Sequence, residues 1–118
     1  MNLLKVANEV HLNGGITYNI NTQEVNPEHG YMVAIEGHEE FYPYVDDEVL
    51  KEYVNRKSYF LAKDGYYLGI WWDGDKYVFD VSELFDNLEL ATVNAMARRQ
   101  RAFWDNANKN EIKIKTLA

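Results

Sequence analysis

Titratable side chains are frequent in this chain, but their spacing does not match a metal or catalytic centre. The chain has no cysteine, and none of its three histidines, His11, His29 and His38, stands four residues from another metal-binding side chain. The helical spacing of zinc ligands is therefore absent. The Asp-Gly-Asp of residues 73–75 lacks the further oxygen ligands of a calcium loop. We expect no metal, no cofactor and no catalytic residue.

Carboxylates are concentrated in the first half of the chain. Residues 1–66 hold 5 Lys or Arg against 11 Asp or Glu, whereas residues 67–118 hold 7 against 8. Such a balance disfavours binding to phosphates and fits a partner protein with a basic surface. We interpret the acidic segment as a candidate partner-binding surface, and its candidate residues are Glu36, Glu39, Glu40, Asp46, Asp47 and Glu48.

Three aromatic residues complete the candidate surface: Tyr67, Trp71 and Trp104. The strand pattern places Trp71 on one face with Tyr67, Lys76 and Asp80. Exposed aromatic side chains with charged neighbours are typical of the residues that dominate protein interfaces. The alternative is that a second layer of structure covers this face.

Arginines near an aromatic residue offer a different chemistry. Arg98, Arg99 and Arg101 precede Trp104, and such a cluster could contact nucleic acid. The same arginines also fit the last turn of a helix, where cations meet the negative end of its dipole. We favour the second interpretation and expect nucleic-acid binding to be weak.

Alternation of apolar residues predicts most of the strands that would position these side chains. Residues 16–20 and 31–35 alternate and suggest a hairpin with a long connection. Residues 66–81 form a second hairpin around Asp73-Gly74-Asp75, in which Trp72 pairs with either Asp75 or Tyr77. Both registers give one core face, with Leu68, Ile70, Trp72, Tyr77, Phe79 and Val81. Residues 102–105 and 111–115 read as two further strands.

Two segments have helical spacing. Asp46 or Asp47 would cap a helix through Val54, and Asp86 with Glu89 resembles a capping box before a helix ending near Arg101. Residues 58–62 are either a helix tail or a strand. The prediction is an α+β fold, a mostly antiparallel sheet of hairpins with two helices on one face. Residues 1–13 would form an arm or short strand, and residues 14–118 a single domain.

Length and composition agree with a small globular domain. The chain has 118 residues, 47% of them hydrophobic, with a net charge of −7. No apolar run approaches the length of a membrane span, and the start does not resemble a signal peptide. We expect a cytoplasmic protein that does not bind membranes.

Several short motifs resemble those of small accessory proteins encoded by bacteriophages and mobile elements. They are residues 15–22 (GITYNINT), 26–33 (NPEHGYMV), 68–71 (LGIW), 77–82 (YVFDVS) and 100–108. The resemblance spans roughly residues 14–114, although Gln23 follows Thr22 where the family usually has glycine. It implies a phage context, in which short acidic proteins often bind and block a host defence protein such as a nuclease. Anti-CRISPR proteins are examples.

These observations favour a binding protein over an enzyme. The predicted function is an acidic protein-binding module, an inhibitor or adaptor that acts on a basic host protein in the host cytoplasm. The alternatives are a phage structural or assembly protein, and a weak nucleic-acid binder that uses Arg98, Arg99 and Arg101. A homodimer is compatible with each of these functions.

Overall fold

A computed structural model describes residues 3–114, which contain four helices and seven strands. In chain order the elements are α1 Leu3–Asn13, β1 Gly15–Tyr18, β2 Tyr31–Ala34, β3 Glu40–Tyr42, α2 Asp47–Arg56, α3 Ser58–Leu61, β4 Tyr66–Trp72, β5 Tyr77–Phe85, α4 Leu88–Ala97, β6 Ala102–Asp105 and β7 Asn110–Lys113. The fold is α+β, as the sequence predicts.

One antiparallel sheet in the order β1-β4-β5-β2-β6-β7 carries all these strands, and β3 also pairs with β5. The β4–β5 hairpin lies at its centre, with Trp72 opposite Tyr77, which is the second of the two predicted registers. The Asp73 carboxylate accepts hydrogen bonds from the amides of Asp75 and Lys76 and so closes the turn.

β2 and β3 act as one interrupted strand along the same edge of β5. β2 pairs with Ser82–Phe85 and β3 with Tyr77–Phe79, while residues 36–39 between them bulge out of the ladder. The predicted hairpin between residues 16–20 and 31–35 is therefore wrong, because β1 pairs with β4 and β2 pairs with β5 and β6. Alternation predicts that a strand exists, whereas its partner depends on contacts distant in sequence.

All four helices pack on one face of the sheet. Helices α1, α2 and α3 share a core with Leu68, Ile70, Phe79 and Val81. Helix α4 packs through Ala91 and Ala95 on Val33 and Phe103, and Val33 pairs with Glu83, on the same side of β5 as Phe79 and Val81. The predicted core face is thus confirmed for the four named core residues of β4 and β5, but Trp72 at its end is exposed, and the face carries four helices rather than two.

Residues 3–13 form helix α1 instead of the predicted arm or strand. Val6 and Val10 are buried one turn apart beneath this helix, with Ala7 beside them. The apolar residues of the segment also include the exposed Leu4 and Leu12, which hide the helical period in the sequence. Helix α1 therefore belongs to the main core.

The observed ends of the helices lie within a few residues of the ends that capping residues in the sequence predict. Asp46 caps α2 by accepting a hydrogen bond from the amide of Val49, as predicted. The cap of α4 is Asn87, which accepts from the amide of Leu90, rather than Asp86. Helix α4 ends at Ala97, four residues before the predicted Arg101, and residues 58–61 continue α2 as the short helix α3.

Candidate protein-binding face

The side of the sheet opposite the helices is the candidate site, and we call it the open face. It carries the alternate positions of the central strands, including Gly69 and Trp71 of β4 and Val78 and Asp80 of β5. None of the helices described in residues 3–114 packs on this side. The predicted division of β4–β5 into a core face and a half-polar face is therefore correct.

An aromatic row crosses the open face near the β4–β5 turn. Phe41 of β3 and Trp71 of β4 stand opposite Val78 on either side of β5. Val78 is buried between them, whereas the Trp71 side chain is 40% exposed and Phe41 is also exposed. The Lys76 ammonium lies 5.1 Å from the centroid of the Phe41 ring. One aromatic ring of this row, that of Phe41, is thus already in a cation–π contact with Lys76 of the protein itself.

Asp80 lies beside this row and carries a largely buried carboxyl group. It is only 7% exposed, and within residues 3–114 no group donates a hydrogen bond to its carboxyl oxygens. A side chain on Gly69, its partner in β4, would overlap Asp80 Oδ1. The missing Cβ at Gly69 therefore makes room for the Asp80 carboxyl over the backbone of β4.

Burial without a partner changes the acidity of this carboxyl. Desolvation, with a smaller contribution from the negative charge of Glu39, raises the pKa of Asp80 to about 7. Both effects penalise the carboxylate, and a cation placed beside it would remove the penalty. Among the residues that the structure describes, none forms an ion pair with this acid of the open face.

Sequence reasoning identified Asp80 as a neighbour of Trp71 but not as a site residue. Its signal is a charged residue within the apolar run of residues 77–81. Phe41 was missed because the sequence pattern predicted no strand there, whereas Phe41 lies in β3. Both residues belong to the site because β3 and β4 flank β5.

Tyr67 was predicted to be an exposed binding residue, and this prediction is wrong. Its side chain is buried, and its hydroxyl donates a hydrogen bond of 2.5 Å to the Glu24 carboxylate. Burial first, and then this bond, raises the pKa of Tyr67 to about 12. The connection between β1 and β2, which contains Glu24, therefore covers this end of the open face. At this end the alternative interpretation, in which further structure covers the face, is correct.

Trp104 is half-exposed on the same face but is distant from Trp71. It lies in β6 opposite Met32, which in turn pairs with Leu84 near the end of β5. Three strand spacings and six residues along β5 separate the two indoles by about 25 Å. Trp104 therefore does not belong to the aromatic row.

The six acidic candidates do not form one surface. Glu36 and Glu39 are exposed in the segment between β2 and β3, and Glu39 lies near Asp80 of the open face. Asp46 is the cap of α2, while Asp47 and Glu48 are exposed at the start of this helix, along a shallow groove beneath α1. Of the six, Glu39 is the carboxylate that lies close enough to Asp80 to perturb it.

Glu40 has a structural role instead. Its oxygens lie 2.6 and 2.7 Å from the two terminal nitrogens of Arg56, and Lys57 Nζ lies 3.5 Å away. The Arg56 hydrogen bonds, the Tyr42 hydroxyl and the nearby cations lower the pKa of Glu40 to about 2. This carboxylate ties β3 to α2, so its charge is not free for a partner.

Replacing Glu40 by Gln tests this role. We expect Glu40→Gln to lower the free energy of unfolding by about 1 kcal/mol near neutral pH, because it breaks a partly exposed bidentate pair. Because the pKa of Glu40 is lower in the folded protein than in the unfolded chain, its carboxylate stabilises the fold above about pH 4.5, and this stabilisation is lost as the pH falls toward 2. Urea unfolding at neutral and acidic pH should therefore show the two proteins converging in acid, and a constant difference would contradict this role.

The arginine cluster is divided as well. Arg98 donates to Glu83 at 2.5 Å and to the Val33 carbonyl, and its guanidinium lies 5.4 Å from the centroid of the Phe85 ring. Arg99 and Arg101 are exposed beyond the end of α4. Arg98 thus joins α4 to the sheet, which leaves two free arginines rather than three for any phosphate.

Comparison of the chain with known protein families, with curated proteins and with solved structures found no match. Within residues 3–114, no three His, Cys, Asp or Glu side chains are grouped so that they could hold a metal ion. In the same range, every helix is too short or too polar to span a bilayer.

Proposed function

We propose that this protein is an acidic protein-binding module whose open face receives a cationic side chain of its partner. The observation that carries the proposal is Asp80, a largely buried carboxyl to which no residue of the described range 3–114 donates a hydrogen bond, next to the exposed indole of Trp71. A lysine or arginine seated there would pair with the carboxylate and lie against an aromatic ring.

The surroundings of Asp80 favour a basic partner. Glu39 lies near Asp80, and Glu36 precedes it in the same connection; both are exposed, and neither makes an ion pair with a described residue. Together with the net charge of −7, they would attract a basic surface and speed its approach. Trp71 and Phe41 supply the apolar contact area that typically dominates binding energy in an interface.

The resemblance to phage accessory proteins supplies the finer part of the proposal. In that context the partner is a host protein with a basic surface, such as a defence nuclease, and binding blocks that surface. In this proposal the protein is not an enzyme, and it acts as an inhibitor or adaptor in the cytoplasm of the host cell. Surface shape and negative potential carry this function.

Binding of a defined basic peptide tests the chemistry directly. The probe is a labelled lysine- and arginine-rich peptide at low salt, and an acetyl-lysine peptide of the same length is its control. We expect Trp71→Ala to weaken binding at least about tenfold, because the variant removes the aromatic wall beside Asp80. Tyr59→Ala, which truncates an exposed aromatic in α3, should bind as the parent does.

Charge variants with the same net charge test the place of binding. Glu36→Gln with Glu39→Gln should lower both the capture of a host protein at low salt and the affinity for the basic peptide. Glu28→Gln with Asp64→Asn removes two exposed carboxylates elsewhere and should lower them much less. Equal losses in the two variants would show that only net charge matters, and failure of the parent to bind any basic protein or peptide would refute the proposal.

A further inference from the structure

Helix α4 exposes apolar side chains that a monomer has no reason to expose. Leu88, Leu90, Val93 and Met96 are between 48% and 63% exposed, while the helix packs on the sheet through the small residues Ala91 and Ala95. Leu90, Val93 and Met96 stand three residues apart and form a continuous stripe on the solvent side. The solvent side of a surface helix is normally polar.

The charges around this stripe are arranged by sign along the helix. Within Leu88–Ala97 the single acidic or basic residue is Glu89 in the first turn, and the exposed Asp86 precedes the helix. Beyond its last turn lie the exposed Arg99 and Arg101. From the residue before α4 to the residues after it, the exposed surface is thus acidic, then apolar and finally basic, and the helix itself is about 15 Å long.

We infer that the exposed stripe of α4 is the interface of a homodimer, in which α4 of one copy packs antiparallel against α4 of a second copy. A two-fold axis near Val93 would bring Leu90 of each copy close to Met96 of the other. It would also set Asp86 and Glu89 of each copy beside the basic end of the other helix. No other exposed helix surface described here combines an apolar centre with opposite charges at its two ends.

A second copy explains the pattern better than a foreign partner does. Two molecules with a net charge of −7 repel each other, so they associate most readily through a surface whose own charges are few and complementary. The stripe meets that condition, whereas the open face, with Glu39 near Asp80, does not. The stripe is small for an interface, so we expect a dissociation constant in the micromolar range.

The dimer goes beyond the proposed function and does not depend on it. Helix α4 packs on the helix side of the sheet, so its pairing would leave both open faces free. A dimer would therefore present two cation-binding faces, and a partner with repeated basic sites would be bound more tightly than by a monomer.

Sedimentation equilibrium of the whole chain tests the interface. The parent should change from monomer to dimer between low and high micromolar concentration. Val93→Lys should weaken the dimer at least about tenfold, because two ammonium groups meet near the axis. Leu12→Lys, which places the same charge at an 80% exposed leucine of α1, should dimerise as the parent does. Far-UV circular dichroism confirms that both variants are folded.

Charge reversal then tests the antiparallel arrangement. A variant with Asp86→Lys and Glu89→Lys is basic at both ends of α4, and a variant with Arg99→Glu and Arg101→Glu is acidic at both ends. Each alone should stay monomeric at concentrations where the parent is dimeric, and an equimolar mixture should form heterodimers. A monomeric parent at high micromolar concentration, a dimer unaffected by Val93→Lys, or a mixture without heterodimers would each overturn the inference, whereas loss of peptide binding alone would not.

Discussion

Asp80→Asn should stabilise the protein by on the order of 4 kcal/mol at about pH 8, and by less than half as much at about pH 5. The reason is the buried carboxyl, whose pKa is raised from 3.8 to about 7 by burial and by Glu39. Asparagine has nearly the same shape but no charge to desolvate. The effect is large because each tenfold difference in proton affinity between the folded and the unfolded chain is worth about 1.36 kcal/mol.

The direction follows from proton binding. Between about pH 4 and pH 7 the folded protein keeps the Asp80 proton that the unfolded chain releases, so stability falls as the pH rises and levels off above about pH 7. The pKa of His38 is lowered mainly by burial, so this residue makes stability rise with pH. Because His38 is present in both proteins, its contribution cancels in the comparison. Urea unfolding of parent and variant across this range therefore isolates Asp80. Parallel stability curves would show that Asp80 titrates normally.

Gly69→Ala should destabilise the protein by about 1–3 kcal/mol, although alanine normally suits a strand better than glycine. The added methyl would overlap Asp80 Oδ1, so the carboxyl or the strand must move. Because β4 is paired on both sides, by β1 and by β5, the backbone has little freedom to yield.

A double-mutant cycle separates this contact from a general effect on the strand. In an Asp80→Ala background the overlapping oxygen is absent, so Gly69→Ala should cost little or nothing. Additive losses in the double variant would show that the glycine is needed for a reason other than room for Asp80. Thermal unfolding at pH 5, where the parent Asp80 is protonated, gives the clearest comparison.

Local signals in the sequence predicted the central part of the fold. The alternation in residues 66–81 and the Asp73-Gly74-Asp75 turn predicted the β4–β5 hairpin and its two faces. Asp46 marked the start of α2 because its side chain accepts a hydrogen bond from Val49, three residues along the chain. Each of these features depends on residues close together in sequence, which explains why they were predictable.

Long-range pairing was the part that the sequence did not reveal. β2 and β3 share one edge of β5 because of contacts between residues about forty to fifty positions apart in the sequence. Helix α1 is stabilised by packing on the core more than by its intrinsic tendency to form a helix. The same limit applies to the site. Trp71 and Glu39 were predicted, whereas the lack of a donor for Asp80 follows from Gly69 on one side and the bulge on the other.

The ionisation of Asp80 in the presence of a basic ligand tests the central claim most directly. Carbon-detected NMR of the Asp80 carboxyl should show a pKa near 7 in the free protein. Saturation with the lysine- and arginine-rich peptide should lower this pKa toward the ordinary range of aspartate, because the bound cation favours the carboxylate. An Asp80 pKa near 4 in the free protein, or one that the bound peptide leaves unchanged, would contradict the account.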